Sequence, residues 1–268
     1  MANLFIVPHD FTNVGDSALR HALFLAKPRN TEIALLHIVS DKSKGKAAHE
    51  KLQHIIDNLD LGVGDVKVAP LVKVGSIFDD IGNLAEEKEA KLIIMGTHGA
   101  KGMQKLFGSY AIKVVTSTSV PFLVVQERDP NNKIENIVVP IDLSKESLQV
   151  IGIAGDIARM FNSKIWVIGE KQSDPRLAQQ IKIRISLVKK EFQEKELNSE
   201  IQIIEGSKSF HHKVMTFAKD KNADLIALAY HSSSLFPQFD GYAQTLLTNK
   251  EQIPCLIINS KLLSKLYY

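Results

Sequence analysis

The stretch NLFIVPHD at Asn3–Asp10 returns as NIVVPID at Asn136–Asp142, and this repeat decides the fold. Asp10 matches Asp142, which sets an offset of 132 residues between the two copies. Further along, AKLIIM at residues 90–95 falls on ADLIAL at residues 223–228, at an offset of 133. The offset between the two copies thus stays nearly constant along the chain, which indicates a duplicated domain. The period is much longer than the repeats of solenoid proteins, which are about 20–50 residues long.

A polar stretch separates the two copies. Glu127–Lys133 reads ERDPNNK, contains a proline and has no apolar periodicity, which is typical of a linker. The chain has 268 residues, enough for two compact domains of about 100–200 residues each. We therefore expect a first domain at residues 1–128 and a second at residues 133–268.

Short apolar, β-branched runs alternate with helical patterns through the first half. The predicted strands are Leu4–Pro8, Glu32–Val39, Val66–Val72, Leu92–Gly96 and Pro121–Gln126, and the predicted helices are Gly15–Lys27, Ala47–Leu59, Ile77–Lys88 and Gly108–Ser117. Apolar strands joined by helices are typical of a parallel sheet covered on both faces. The expected fold class is α/β, with two tandem doubly wound (Rossmann-like) domains, each a five-stranded parallel sheet with helices on both faces.

The composition gives few hints about partners. The formal net charge is +3 and the only cysteine is Cys255, which favours neither a nucleic-acid surface nor a disulfide framework. No apolar run approaches the ~20 residues of a membrane-spanning helix, and no basic leader precedes the first strand. We expect a cytoplasmic protein without a nucleic-acid or membrane partner.

Glycines cluster where a ligand would bind. In an open parallel sheet, ligands lie beyond the carboxyl ends of the strands. The loop after the fourth predicted strand carries Gly96, Gly99 and Gly102 and leads to Gly108 and Ser109. Its backbone N–H groups could approach a phosphate closely, and the next helix would add positive charge at its N-terminus. The same residues could also serve only as turns and a helix cap.

The spacing Gly96-x-x-Gly99, eight residues, then Gly108-Ser109, together with Asp10 after the first strand, resembles the universal stress protein family (UspA type). The resemblance covers both halves and is most specific at Met95–Ser109, MGTHGAKGMQKLFGS. It implies an adenine-nucleotide-binding fold that takes ATP or a related nucleotide, with or without Mg²⁺. By this resemblance Asp10 and the backbone of Val39 would meet the adenine. The remaining candidates would surround the ribose and phosphates: Gly96, His98, Gly99, Gly102, Gly108 and Ser109.

Two departures from the family pattern shape this expectation. The family usually has nine residues between the second glycine and Gly-Ser, and Ala100–Phe107 supplies eight. In the second half, Ala229, Ser232 and Tyr242 stand at the positions of Gly96, Gly99 and Ser109, so its glycine loop is degenerate. We therefore expect one nucleotide per chain, bound in the first domain.

Enzymatic motifs are absent from the sequence. It has no Gly-x4-Gly-Lys-Ser/Thr loop, no Gly-x-Ser-x-Gly elbow and no evident general base, so slow or absent ATP hydrolysis is expected. His9, His37 and His98, or His211 with His212, could recruit zinc, but no spacing specifies a metal. The expected function is a stress-response binding and signalling module read by an unknown protein partner. The alternative is a scaffold, or a protein that binds a hydrophobic ligand through a degenerate nucleotide site.

The last strand of each half carries the expectation about assembly. Pro121–Gln126 and Pro254–Asn259 are apolar enough to invite strand pairing, and in the resembled family this strand forms the dimer contact. The resemblance therefore implies an intramolecular pseudo-dimer, with any further homodimer using another surface.

Overall fold

The computed structural model describes residues 3–29, 31–59, 66–97, 112–230 and 241–259. The chain forms two compact units, Met1–Pro130 and Asn131–Tyr268. Both units have a parallel sheet with helices between successive strands. Among the described residues, no helix has the length and apolarity needed to cross a membrane.

The first unit contains a five-stranded sheet with the strand order β3-β2-β1-β4-β5. Every described pairing between these strands is parallel. The strands are β1 (Leu4–Pro8), β2 (Glu32–Val39), β3 (Val68–Val74), β4 (Leu92–Gly96) and β5 (Phe122–Val125). The helices are α1 (Asn13–Ala26), α2 (Gly45–Asp57) and α3 (Asp80–Glu87), with short 3₁₀ turns at Lys27–Arg29 and Lys42–Lys44 and helical residues at 112–115.

The second unit has the same winding, with the strand order β10-β9-β6-β7-β8. Its strands are β6 (Asn136–Ile141), β7 (Lys164–Glu170), β8 (Ser199–Ile204), β9 (Leu225–Tyr230) and β10 (Cys255–Asn259). Its helices are α4 (Ile151–Phe161), α5 (Pro175–Glu194), α6 (Phe210–Asp220) and α7 (Gly241–Leu247), with a 3₁₀ turn at Glu146–Val150. The predicted fold class, two tandem doubly wound α/β domains, is confirmed.

The central strands are buried on both faces, which explains their continuous apolar sequences. Ile6 and Val7 in β1 are fully buried, as are Ile93 and Ile94 in β4. Strand β3, at one end of the order, is only partly buried along its length. The helices cover the sheet with one apolar stripe each; in α5, Ile181, Val188 and Phe192 are buried.

Helix α3 begins at Asp80, three residues later than the sequence pattern predicts. The Asp80 carboxylate accepts a hydrogen bond from the Ser76 amide at 2.6 Å. The carboxylate also lies against Gly75, where a Cβ atom would overlap it. The residues between strand and helix are therefore held in a turn.

The strand order places a cleft between β1 and β4. The chain leaves β1 on one side to form β2 and β3, and it returns on the other side to form β4 and β5. At such a switch point the loops after the two central strands diverge, and ligands bind there in open α/β sheets. Asp10 lies in the loop after β1, and Thr97 directly follows Gly96, the last residue of β4.

Candidate functional site

A cavity of about 140 Å³ lies at this switch point of the first unit. An engineered cavity of about 150 Å³ holds a benzene ring, so this space suits a flat ring system and not a whole nucleotide. Its described lining is mostly apolar and contains neither lysine nor arginine. The lining residues are Pro8, His9, Asp10, Val14, Gly15, Leu36, His37, Ile38, Ile77, Ile81, Met95, Gly96, Thr97 and Val114.

Asp10 lines the cavity and also builds the turn that precedes α1. Its Oδ1 accepts hydrogen bonds from the Thr12 amide at 3.2 Å and the Thr12 hydroxyl at 2.5 Å. Asp142 makes the same turn in the second unit, accepting from the Ser144 amide at 2.8 Å and hydroxyl at 2.6 Å. The repeated aspartate therefore has a structural role in both units. Among the described residues, none donates to the second oxygen of Asp10, Oδ2, which is free to accept from a ligand.

The backbone of Val39 points away from the cavity. Its carbonyl accepts a hydrogen bond from the Gly75 amide at 3.0 Å, so it faces β3. Backbone groups alternate in direction along a strand. The Leu36 carbonyl faces β1, where it accepts from the His9 amide at 2.8 Å. Ile38, two residues further, has the same direction beyond the end of β1, and it lines the cavity where Val39 does not.

At Gly96, strand β4 lies close against helix α1. A Cβ atom added at Gly96 would lie 2.5 Å from the Val14 carbonyl oxygen. Packing between strand and helix therefore requires glycine here, whatever the ligand. The corresponding position in β9 is Ala229, so the second unit does not make an equally close approach.

His9 is buried and both of its ring nitrogens are engaged. Nδ1 accepts a hydrogen bond from the Phe11 amide at 3.0 Å, and Nε2 lies 3.1 Å from Asp16 Oδ1 and donates to it. Burial lowers the pKa of His9, although the nearby Asp16 carboxylate opposes that shift. Phe11 has a left-handed backbone, with φ of 64°, and its hydrogen bond to Nδ1 requires neutral His9.

His37 lies beside His9 at the cavity. Its Nδ1 donates a hydrogen bond to the His9 carbonyl oxygen at 2.7 Å. The Phe11 ring packs against the His37 ring with centroids 4.3 Å apart. The described residues therefore bring His9 and His37 together through backbone and ring contacts. They contain no group of three or more side chains suited to hold a metal ion.

His98, Gly99, Gly102, Gly108 and Ser109 lie outside the described residues.

Ile38 and Thr97 line the cavity, although the sequence pattern did not predict either of them as a ligand contact. The direction of backbone groups along β2 would have favoured Ile38 over Val39. For Thr97, the only clue in the sequence is that it directly follows Gly96.

The second unit has a cavity of about 220 Å³ at the corresponding edge of its sheet. Pro8 pairs with Leu36 in the first unit and Pro140 with Ile168 in the second, so Glu170 occupies the place of Ile38. The Glu170 carboxylate lies 2.6 Å from Lys213 Nζ, and the Lys213 side chain is only 11% exposed. The two units therefore present different chemistry at one topological position, an apolar side chain in the first and an ion pair in the second.

The second unit also holds the histidine pair considered as a zinc site. The rings of His211 and His212 lie 4.5 Å apart. The Ser209 hydroxyl is within hydrogen-bond distance of both, at 3.1 Å from His211 Nε2 and 2.8 Å from His212 Nδ1. The Ser209 hydroxyl can thus hydrogen-bond to one nitrogen of each ring.

Comparison with known proteins gives consistent results for both halves. A family model, the universal stress protein family, matches residues 1–126 and again residues 133–241. Universal stress protein G of Salmonella typhimurium is 31% identical over 144 residues, which cover 47% of this chain and 100% of that protein. A universal stress protein from Archaeoglobus fulgidus DSM 4304 has the same fold over 97% of this chain and 99% of its own, with a TM-score of 0.76 at 16% identity. Another from Archaeoglobus fulgidus, solved in complex with dAMP, aligns with 47% of this chain and 98% of its own, at 16% identity and a TM-score of 0.40.

Proposed function

Because the chain belongs to the universal stress protein family, we propose that its first unit binds an adenine nucleotide, with ATP as the expected ligand. The protein then acts as a binding module whose loaded state is read by a partner. The observation that carries this proposal is the apolar cavity between the carboxyl ends of β1 and β4, with hydrogen-bonding groups at one side.

These groups suit the edge of adenine. The adenine edge presents an amine that donates and a ring nitrogen that accepts. The backbone carbonyl of Ile38 can accept from the amine, and the Ile38 amide can donate to the ring nitrogen. Asp10 Oδ2 can accept the second hydrogen of the amine. Guanine has a carbonyl oxygen in place of the amine and would face two acceptors, so the arrangement favours adenine.

The phosphates would lie outside the described cavity. Its described lining offers no cation, and burying a phosphate among apolar side chains would be costly. Gly96 and Thr97 line the cavity and are followed in the sequence by residues 98–111, which include the glycines and Ser109 that we predict as phosphate contacts. Mg²⁺ keeps several waters and often binds mainly to substrate phosphates, so a nucleotide could bring this ion without a protein metal cluster.

The second unit is proposed to bind no nucleotide. In the second unit Glu170 takes the position of Ile38, so a carboxylate lines the cavity where the first unit has an apolar residue. Moving it would break its ion pair with the largely buried Lys213, and breaking a buried pair leaves an uncompensated charge. This obstacle is independent of the degenerate glycine loop.

One observation favours the alternative function. The described lining is apolar enough to accept a hydrophobic ligand without a phosphate group. The test is to purify the full chain, denature it and identify the small molecule released. An adenine nucleotide supports the proposal, whereas a lipid or another apolar molecule in stoichiometric amount supports the alternative.

A further inference from the structure

Within the described residues, the side-chain hydroxyl of Thr97 is buried and has no hydrogen-bond partner. Its residue is 2% exposed, and Oγ1 makes no hydrogen bond within the described part of the chain. Buried polar side chains are nearly always hydrogen-bonded, and each exception needs an explanation. Thr97 also lines the cavity of the first unit, so a ligand in that cavity could supply the missing partner.

The backbone fixes the direction of this side chain. The Thr97 amide donates to the Val125 carbonyl at 2.8 Å, which continues the ladder between β4 and β5. Side chains alternate between the two faces of a strand. Since the Cβ direction of Gly96 points at Val14 of α1, the Thr97 side chain lies on the opposite face. Its hydroxyl is therefore not an N-cap for α1.

A second orphan hydroxyl shows what is particular about Thr97. Thr31 Oγ1 is likewise buried and unpartnered, but Thr31 does not line the described cavity. Being unpartnered is thus not enough to indicate a ligand. The combination with the cavity distinguishes Thr97, and Thr31 provides a matched control.

The position of Thr97 selects one part of the nucleotide. The groups that suit the base lie at the ends of β1 and β2, while Thr97 follows β4 on the other side of β1. Strands β2 and β4 are two spacings apart, about 10 Å. With the base held at the ends of β1 and β2, Thr97 would therefore lie where the base ends and the sugar begins. The described lining contains no lysine or arginine to accompany a phosphate, which favours a neutral group as the partner.

We propose that the Thr97 hydroxyl binds a ribose hydroxyl of the nucleotide and makes the site selective for ribonucleotides. A hydroxyl both donates and accepts, so threonine and sugar hydroxyls can pair in either direction. The inference rests on the proposed function and adds a sugar-recognising residue to it.

The test compares Thr97→Val, Thr97→Ser and the control Thr31→Val in the full chain by calorimetric titration with ATP, 2′-deoxy-ATP and 3′-deoxy-ATP. Thr97→Val should weaken ATP binding by about three- to tenfold, the loss expected for one hydrogen bond. Thr97→Ser should bind ATP like the unmodified protein, and so should Thr31→Val. One deoxy analogue should bind the unmodified protein more weakly than ATP does, and with this analogue Thr97→Val should cause no further loss.

Thermal unfolding without ligand separates binding from folding. Both valine variants remove a buried orphan hydroxyl, so neither should lower the melting temperature. Unchanged ATP affinity in Thr97→Val, or an equal loss with ATP and with both deoxy analogues, would overturn the inference and leave the proposed function standing. If Thr97→Val does not fold, equal affinity of the unmodified protein for all three nucleotides would overturn it. An unmodified chain that binds no ATP would overturn both proposals.

Discussion

Replacing Asp10 by asparagine should change which base the first unit prefers. The side chain has two separate tasks: Oδ1 closes the turn with Thr12, and Oδ2 is proposed to accept from the adenine amine. Asparagine keeps an oxygen for the turn and puts an NH₂ group in place of Oδ2. The new group cannot accept from adenine, but it can donate to the carbonyl oxygen of guanine.

The exposure of Asp10 should reduce this effect below the usual range for a hydrogen bond to a charged group. Hydrogen bonds to charged groups contribute about 1.5–3 kcal/mol, but Asp10 is exposed and water competes for it. We expect ATP binding to weaken by about 1 kcal/mol, roughly fivefold. GTP binding should improve or stay the same, so the ratio of ATP to GTP affinity should fall.

Asp142→Asn is the matched control, since Asp142 makes the same turn with Ser144 in the unit that we expect to be empty. Titration of both variants with ATP and GTP measures the preference, and thermal unfolding measures the shared effect on the turn. Asp142→Asn should leave both nucleotide affinities unchanged. The reasoning is wrong if Asp10→Asn keeps the original ratio, because Asp10 would then serve only the turn.

Two further predictions concern stability. Gly96→Ala should destabilise the protein by about 1–3 kcal/mol, the usual cost of overpacking, because the new methyl group would meet the Val14 backbone. Urea unfolding measures this loss. The reverse change in the second unit, Ala229→Gly, relieves no such contact and should give no comparable gain in stability. Stability should also fall as pH drops below about 6.5. Burial lowers the pKa values of His9 and His21 in the folded protein. Below this pH the unfolded chain therefore takes up more protons than the folded one. His9→Asn should reduce the change in urea midpoint between about pH 7.5 and about pH 5.5, and an undiminished change would assign the effect to other groups.

The sequence predicts the central strands best. The predicted bounds of β1, β2 and β4 agree with the structure to the residue, because strands buried on both faces are continuous apolar runs with polar or glycine residues at their ends. Helix α3 is less predictable, since its start depends on the turn that Asp80 forms with Ser76. Such a side-chain contact leaves little trace in hydrophobic periodicity.

The site is less predictable than the fold because it depends on direction. A shift of one residue along a strand reverses the side to which the backbone groups point. The sequence pattern alone does not show whether the backbone of Ile38 or that of Val39 faces the cavity. The hydrogen bond from the Gly75 amide to the Val39 carbonyl shows that Val39 faces β3 instead. Likewise, the ion pair between Glu170 and Lys213 joins residues that are 43 positions apart. Such contacts become visible only once the sheet register is known.

The stoichiometry of nucleotide binding tests the central claim most directly. The measurement is calorimetric titration of the full chain with ATP, carried to saturation. One adenine nucleotide per chain, with an affinity that Asp10→Asn weakens and Asp142→Asn does not, is the result we predict. Two equivalent nucleotides per chain, or one that responds to Asp142→Asn and not to Asp10→Asn, would contradict the assignment of the site to the first unit.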